Sequence, residues 1–275
     1  MRQLQTMAAA SLLFACISLK AQPNCSYFLY LGDTAQYNAC KLVEENVGSH
    51  YQFSREFHQL MDSAIAICPR FAYAYREKAA PYVKSGNFIE YMKNMELAVK
   101  HDPGTYLPIR ASVRCKFFAD HQGAIDDINL FLSTHKGDIP SSHNGTYHLL
   151  VVKALCHKNL NQSDTAIAIL EKLFATEGYY LGGFDYLHLG VLYLETGQYE
   201  KALSAFESQK QQNNLAENEY NWAVTLNKLK QREEAKTHLA KARELLVPGT
   251  QMHDPYHEMI DQIYLVDIEK LEAEL

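Results

Sequence analysis

The side chains with the most chemical potential gather near the C-terminus, where His253 and His257 stand four residues apart among Asp254, Glu258 and Asp261. On a helix that spacing turns two imidazoles to one side, which is the beginning of a divalent-metal site. Two ligands do not complete one, and the zinc-protease pattern needs a glutamate directly after the first histidine, where Asp254-Pro255 stands. Asp254-Pro255 reads instead as a helix N-cap with proline in the first turn. His101, His121, His148, His157, His188 and His238 occur singly, and a lone helical histidine packs more often than it ligates. Gly182-Gly183 lacks the lysine and hydroxyl residue that a phosphate-binding loop requires. The paired acids Asp126-Asp127 and Glu233-Glu234 fall at helix starts, where negative charge favours the helix dipole and a solvated face is expected. Asn144-Gly145-Thr146 and Asn161-Gln162-Ser163 match the glycosylation acceptor, which matters only in a eukaryotic secretory route. These residues therefore imply no catalytic group, no cofactor and no metal.

The elements that must position such residues begin with an address. Met1 to Ala21 carries one early arginine, a charge-free run from Ala8 to Leu19, then Gln22 and Pro23. This is the layout of a signal peptide, and the run is too short for a bilayer span, which takes about twenty residues. Cleavage after Ala21 is expected first and lipid attachment at Cys16 second, with the chain working in the periplasm, at the envelope or outside the cell. The whole chain of 275 residues has 26 basic and 32 acidic residues, a net charge of −6. Loss of Arg2 and Lys20 with the leader makes it −6 − 2 = −8. That balance argues against nucleic acid, whose binders need positive charge to displace counterions. Of six cysteines, loss of Cys16 leaves 6 − 1 = 5, an odd number for an exported chain. Cys25 with Cys40 is the best-placed pair for a disulfide. Cys115 and Cys156 are expected on packing faces as small hydrophobes, and the chain has no C-x-x-C motif to suggest redox chemistry.

A repeat settles the architecture. Tyr186-x-x-Leu189-Gly190-x-x-Tyr193 is followed by Gly197, Tyr199 and Ala202-x-x-x-Phe206. Small residues at Gly190 and Ala202 let two helices approach, while Leu189, Tyr193 and Phe206 fill the space between them. The segment resembles the tetratricopeptide repeat. Weaker copies place the matching slot at Tyr91, Ala124, Ala166, Ala202 and Ala235, at intervals of 33, 42, 36 and 33 residues. The resemblance implies an all-α, right-handed superhelical solenoid over 22–252. About six helical hairpins are expected, near 27–69, 72–103, 105–134, 147–175, 183–213 and 216–247, each covering the apolar face of its neighbour. A capping helix is expected over 253–275, with Tyr256, Met259, Ile260, Ile263, Ile268 and Leu271 on one stripe. As a whole the chain resembles secreted tetratricopeptide-repeat proteins of Bacteroidetes-type bacteria.

In that family the first helix of each hairpin lines the concave surface. Transferred residue by residue, the resemblance marks Tyr73 and Arg76, then Tyr106, Ile109 and Lys116, then His148, then Phe184 and Leu187, and finally Tyr220 and Asn227 as groove candidates. The two-lysine, two-asparagine carboxylate clamp of chaperone-binding relatives is disfavoured, because Ala80 and Arg110 stand in its asparagine slots. The apolar groove leaves two readings open. Winding or neighbouring helices bury it, or Tyr73, Tyr106, Phe184 and Tyr220 are exposed anchors for a protein or peptide partner. The expected function is a non-enzymatic interaction scaffold acting after export. The alternative is an accessory module that binds an envelope peptide or glycan without transforming it.

Overall fold

A computed structural model describes residues 23–275, which form fourteen α-helices and, among the described residues, no strand. The expected leader, its expected cleavage point after Ala21 and the candidate lipid site at Cys16 lie outside the described residues. No described helix is long and apolar enough to cross a membrane. The chain divides into two compact units, Met1–Tyr73 and Ala74–Leu275.

The first unit holds α1 (Cys25–Tyr30), α2 (Thr34–Asn46), α3 (Arg55–Ile67) and the opening residues of α4 (Ala72–Lys84). A single helix over 27–47 is expected from the sequence, but Gly32 at φ +73° splits it. Asp33 then opens α2 by accepting the Gln36 amide at 3.0 Å. A Cys25–Cys40 disulfide ties α1 to α2, in the pairing the sequence favours. Ser54 caps α3 at the Phe57 amide, 3.1 Å away, and Phe57, Met61 and Ala64 put a buried stripe on that helix.

The second unit continues with α5 (Phe88–His101), α6 (Pro103–Phe117), α7 (His121–Thr134), α8 (Leu149–Asn159), α9 (Ser163–Phe174), α10 (Asp185–Glu195), α11 (Tyr199–Gln212), α12 (Ala216–Lys228), α13 (Arg232–Leu245) and α14 (Leu265–Glu274). Five times a first helix passes into its second through three residues whose middle member has positive φ: Gly86, Ala119, Asn161, Gly197 and Lys230. In four of these turns the next amide returns to a carbonyl five residues back, as Gln198 does to Tyr193 at 2.8 Å and Gln231 to Leu226 at 2.9 Å. That closure satisfies carbonyls which the helix end would otherwise leave unpaired. Within α10 and α11 the close approach is literal: a Cβ on Gly190 would stand 2.4 Å from the Phe206 ring. Leu107, Ile128, Leu155, Leu170 and Leu192 belong to one core running through α6 to α11. Ala223, Leu239, Ile268 and Leu271 form another around α12 to α14.

The C-terminal stretch departs from expectation. A helix from residue 253 does not form; helix resumes only at Leu265, and residues 246–264 run as irregular chain. Gly249 at φ +92° and Asp261 at φ +68° turn the backbone out of the helical region, and Pro255 removes a helical donor. Asp254 accepts the Tyr256 amide at 2.9 Å in a local turn rather than capping a helix. Packing against other helices thus overrides the helical stripe. His253 and His257 accordingly do not share a helix face.

Candidate functional site: the first-helix face and its strap

The first helices α6, α8, α10 and α12 make the face that the sequence resemblance assigns to the groove, and residues 250–263 lie on it. The strap starts at α12, where the Ala216 amide donates to the Thr250 carbonyl at 2.8 Å. Two residues on, the Met252 amide donates to Glu217 Oε1 at 3.0 Å. Glu217 is fully buried, and burial raises its carboxyl above the usual carboxylate range although the Met252 amide pulls the other way. Met252 and Met259 are buried members of the main core, with Ile260 packed against it. The strap therefore contributes apolar anchors as well as polar contacts.

Its acids meet the cations of this face. Asp261 receives the Lys158 ammonium of α8, and its Oδ2 lies 2.6 Å from His188 Nδ1 on α10. Lys158 and Asp261 side chains are each only 8% exposed. Burial by itself raises the Asp261 carboxyl, but the Lys158 charge and the His188 hydrogen bond outweigh it and hold the group below its ordinary value. Lys158 also reaches Glu195 at 3.1 Å. Beyond His188, Nε2 faces the Tyr147 hydroxyl at 3.2 Å, which anchors the turn before α8. Toward α6, Asp254 stands 3.9 Å from Lys116, whose ammonium is drawn downward by burial despite that partner. The Asn144 amide donates to Asp254 at 3.3 Å, and the His257 ring lies 5.5 Å from that of Phe117.

The groove candidates fare unequally. Lys116 meets the strap directly. Leu187 is 0% and Tyr106 6% exposed, so in this arrangement they fill the core and offer no surface. Phe184 is half-buried at the start of α10 with its ring 6.1 Å from Tyr147. His148 caps α8, its Nδ1 accepting the Leu150 amide at 3.2 Å. Tyr220 packs in the α12 to α14 cluster, and Ile109 and Asn227 are half-buried. Arg76 pairs with Glu77 and reaches His143 Nε2 at 2.9 Å. Tyr73 closes the first unit and is half-buried. Groove-slot arithmetic alone does not point to His188, Asp261 and Met252, because it carries no information about what lies on the face.

Two further clusters correct the sequence reading. Asp126 is solvated as expected, but Asp127 is buried and held in a fork by Arg110, Nε–Oδ2 2.9 Å and Nη2–Oδ1 2.6 Å, with Arg114 Nε at 3.4 Å. Cys115 and Cys156 do pack as buried residues, yet they face one another and His121 across α6, α7 and α8. The hydrogen bond from Cys156 lowers the Cys115 thiol against burial, with His121 assisting, while Cys156 is pushed up.

Residues 186–213, which span α10 and α11, match the family model for the tetratricopeptide repeat. The helical pairs have the tetratricopeptide-repeat fold. PilW, a widely conserved type IV pilus biogenesis factor, is similar at TM-score 0.54 and 13% identity, over 80% of this chain and 89% of its own. PilF of Pseudomonas aeruginosa is similar at TM-score 0.59 and 14% identity, over 88% and 99%. YrrB, described as a tetratricopeptide-repeat protein with an unusual peptide-binding site, is similar at TM-score 0.51 and 18% identity, over 69% and 93%. Such identities carry the fold and nothing finer. No curated protein sequence matches the chain.

Proposed function

We propose that this chain is a non-catalytic protein-interaction scaffold acting after export, and that its first-helix face takes an extended, acidic segment with methionine or isoleucine anchors. The repeat fold and its tetratricopeptide-repeat neighbours support the scaffold role. One observation carries the rest: the chain's own strap occupies that face with Asp254 and Asp261 on Lys116 and Lys158, and with Met252 and Met259 in the core. The strap displays the chemistry that a partner would have to reproduce. Because it is tethered, it competes at an effective concentration set by a short connection, on the order of millimolar. A partner must outbid that or arrive when the strap is loosened.

A labelled peptide copying residues 250–263 tests this. Anisotropy should report weak binding to the wild-type chain and at least about tenfold tighter binding when the resident strap carries Asp261→Ala. A scrambled peptide should not bind either. If the loosened chain takes the copied peptide no better than the wild type does, the face is a packed core and the partner-binding surface lies elsewhere.

A further inference from the structure

Cys115 lies in the last turn of α6, His121 opens α7 and Cys156 sits in α8. Their two sulfurs and one imidazole nitrogen all lie within 4.8 Å of one another. Three separate helices thus deliver two soft sulfur donors and one borderline nitrogen to a single point. Both thiols are buried, Cys156 completely. The imidazole is not disposed as a packing residue either. Its Nε2 is engaged by the Asn159 side-chain amide at 3.2 Å, whereas Nδ1 is buried and, among the described residues, has no hydrogen-bond partner. A buried ring nitrogen left without a partner is costly in an apolar setting. A metal-binding histidine donates its outer N–H and turns its other nitrogen to the ligand set; here that takes a half-turn of the Asn159 amide, so that Oδ1 in place of Nδ2 faces Nε2 and accepts its proton.

We propose that Cys115, His121 and Cys156 bind a thiophilic closed-shell cation, Zn2+ or Cu+. Thiolates select these ions over the hard cations that prefer oxygen. Charge balance favours Zn2+, since two thiolates and a neutral imidazole make a neutral site that a low-dielectric core tolerates. Binding releases the thiol protons to solvent and involves no electron transfer. Zn2+ takes four ligands, so a solvent molecule would complete a tetrahedron with the three protein donors; a cavity of about 40 Å³ borders Cys115 together with Tyr147 and His257. Cu+ is satisfied by the three protein donors. The ion would clamp α6, α7 and α8 together beneath the strap. Asn159 is a positioning residue in this arrangement.

The test uses the exported chain with its Cys25–Cys40 disulfide intact, titrated anaerobically with ZnCl2 against a chromophoric chelator and, separately, with Cu+ against bicinchoninate. One equivalent of either ion is expected, removed by a strong chelator, and Co2+ should give a thiolate charge-transfer band. His121→Ala and Cys156→Ser should each lower affinity at least about 100-fold, and Asn159→Ala about tenfold, whereas Cys68→Ser should leave it unchanged. Because a buried Cys156→Ser variant could unfold, the wild type supplies a second readout: bound ion should shield Cys115 and Cys156, but not Cys68, from alkylation in mild denaturant. Three results overturn the proposal. They are a Cys115–Cys156 disulfide in freshly isolated protein, a folded reduced chain that binds neither ion at one equivalent, and a His121→Ala variant that binds as tightly as the wild type.

Discussion

Replacing Asp261 separates what its charge does for the strap from what its backbone does. Asp261→Asn keeps size and tolerance of the left-handed conformation, so at φ +68° it removes the charge alone. Hydrogen bonds to charged groups are worth about 1.5–3 kcal/mol each. Lys158 retains Glu195 at 3.1 Å after the change, which places the loss near the lower half, about 2 kcal/mol. That loosens the strap about 30-fold. Asp261→Ala adds roughly 1 kcal/mol for a Cβ at positive φ without a polar side chain to offset it, another factor of about five. Asp261→Gly loses the same charge but relaxes the backbone, so it should open no more than the asparagine variant. Amide exchange over residues 250–263 at neutral pH reads these ratios, and proteolysis near exposed Tyr256 gives an independent measure. The carboxylate also sets an acid limit. Its folded pKa lies below the unfolded one, so its stabilisation is complete above the unfolded value and is lost as pH falls through the folded value. Wild-type strap protection should therefore decline below about pH 4, with no such decline from this group in Asp261→Asn. Equal exchange in wild type, asparagine and alanine variants would refute the reasoning, as would exchange rising equally throughout α8 and α10.

Other changes probe the scaffold. Gly190→Ala should destabilise the second unit by about 1–3 kcal/mol, read as a lower urea midpoint, because its Cβ meets Phe206 at 2.4 Å. Lys230→Gly should raise stability by about 0.5–1 kcal/mol in the same assay, since Lys230 holds φ +63° with a side chain that gains nothing from it. Asp127→Ala should cost about 3–5 kcal/mol by leaving Arg110 buried without its fork, while exposed Asp126→Ala should stay within about 0.5 kcal/mol of wild type. Reducing Cys25–Cys40, which closes a separation of 15 residues, should cost the first unit about 3 kcal/mol, seen as earlier proteolysis of α1 and α2.

The helical pairs are legible in the sequence because close packing demands small residues at fixed places. Gly190 lies against the Phe206 ring where no larger side chain fits, Ala202 is fully buried on the partner helix, and the three-residue turns recur at Gly86 and Gly197 where positive φ is least costly. The same logic hides the turns at Ala119 and Lys230, whose conformation is imposed by the helices on either side against local preference. Asp127 is readable in retrospect. It follows Ala124 by three residues and precedes Ile128 and Phe131 on the same buried stripe, whereas Asp126 falls off that stripe. Cys115 and Cys156 are 156 − 115 = 41 residues apart, close to the local repeat interval of 42, so they occupy near-equivalent places on neighbouring first helices. A reading residue by residue treats each as a lone hydrophobe; a reading by repeat sets them side by side.

The strap is the part that the sequence conceals, and the reason is physical. Met252, Met259, Ile260 and Ile263 need an apolar surface, and a helical stripe supplies one answer to that need. The first-helix face supplies another, with cations placed for Asp254 and Asp261. Local pattern cannot choose between two surfaces of the same polarity. Long-range charge chooses: without Asp261, Lys158 would keep only the half-exposed Glu195 and His188 only the Tyr147 hydroxyl, whereas the turned backbone at Asp261 brings a buried carboxylate to both at once. The strained residue and the buried charges are therefore one feature. A strap fixed by one such cluster has its stability concentrated where a competing acidic segment would have to bind, so displacing the Asp261 contacts should release residues 250–263 together rather than peel them one by one.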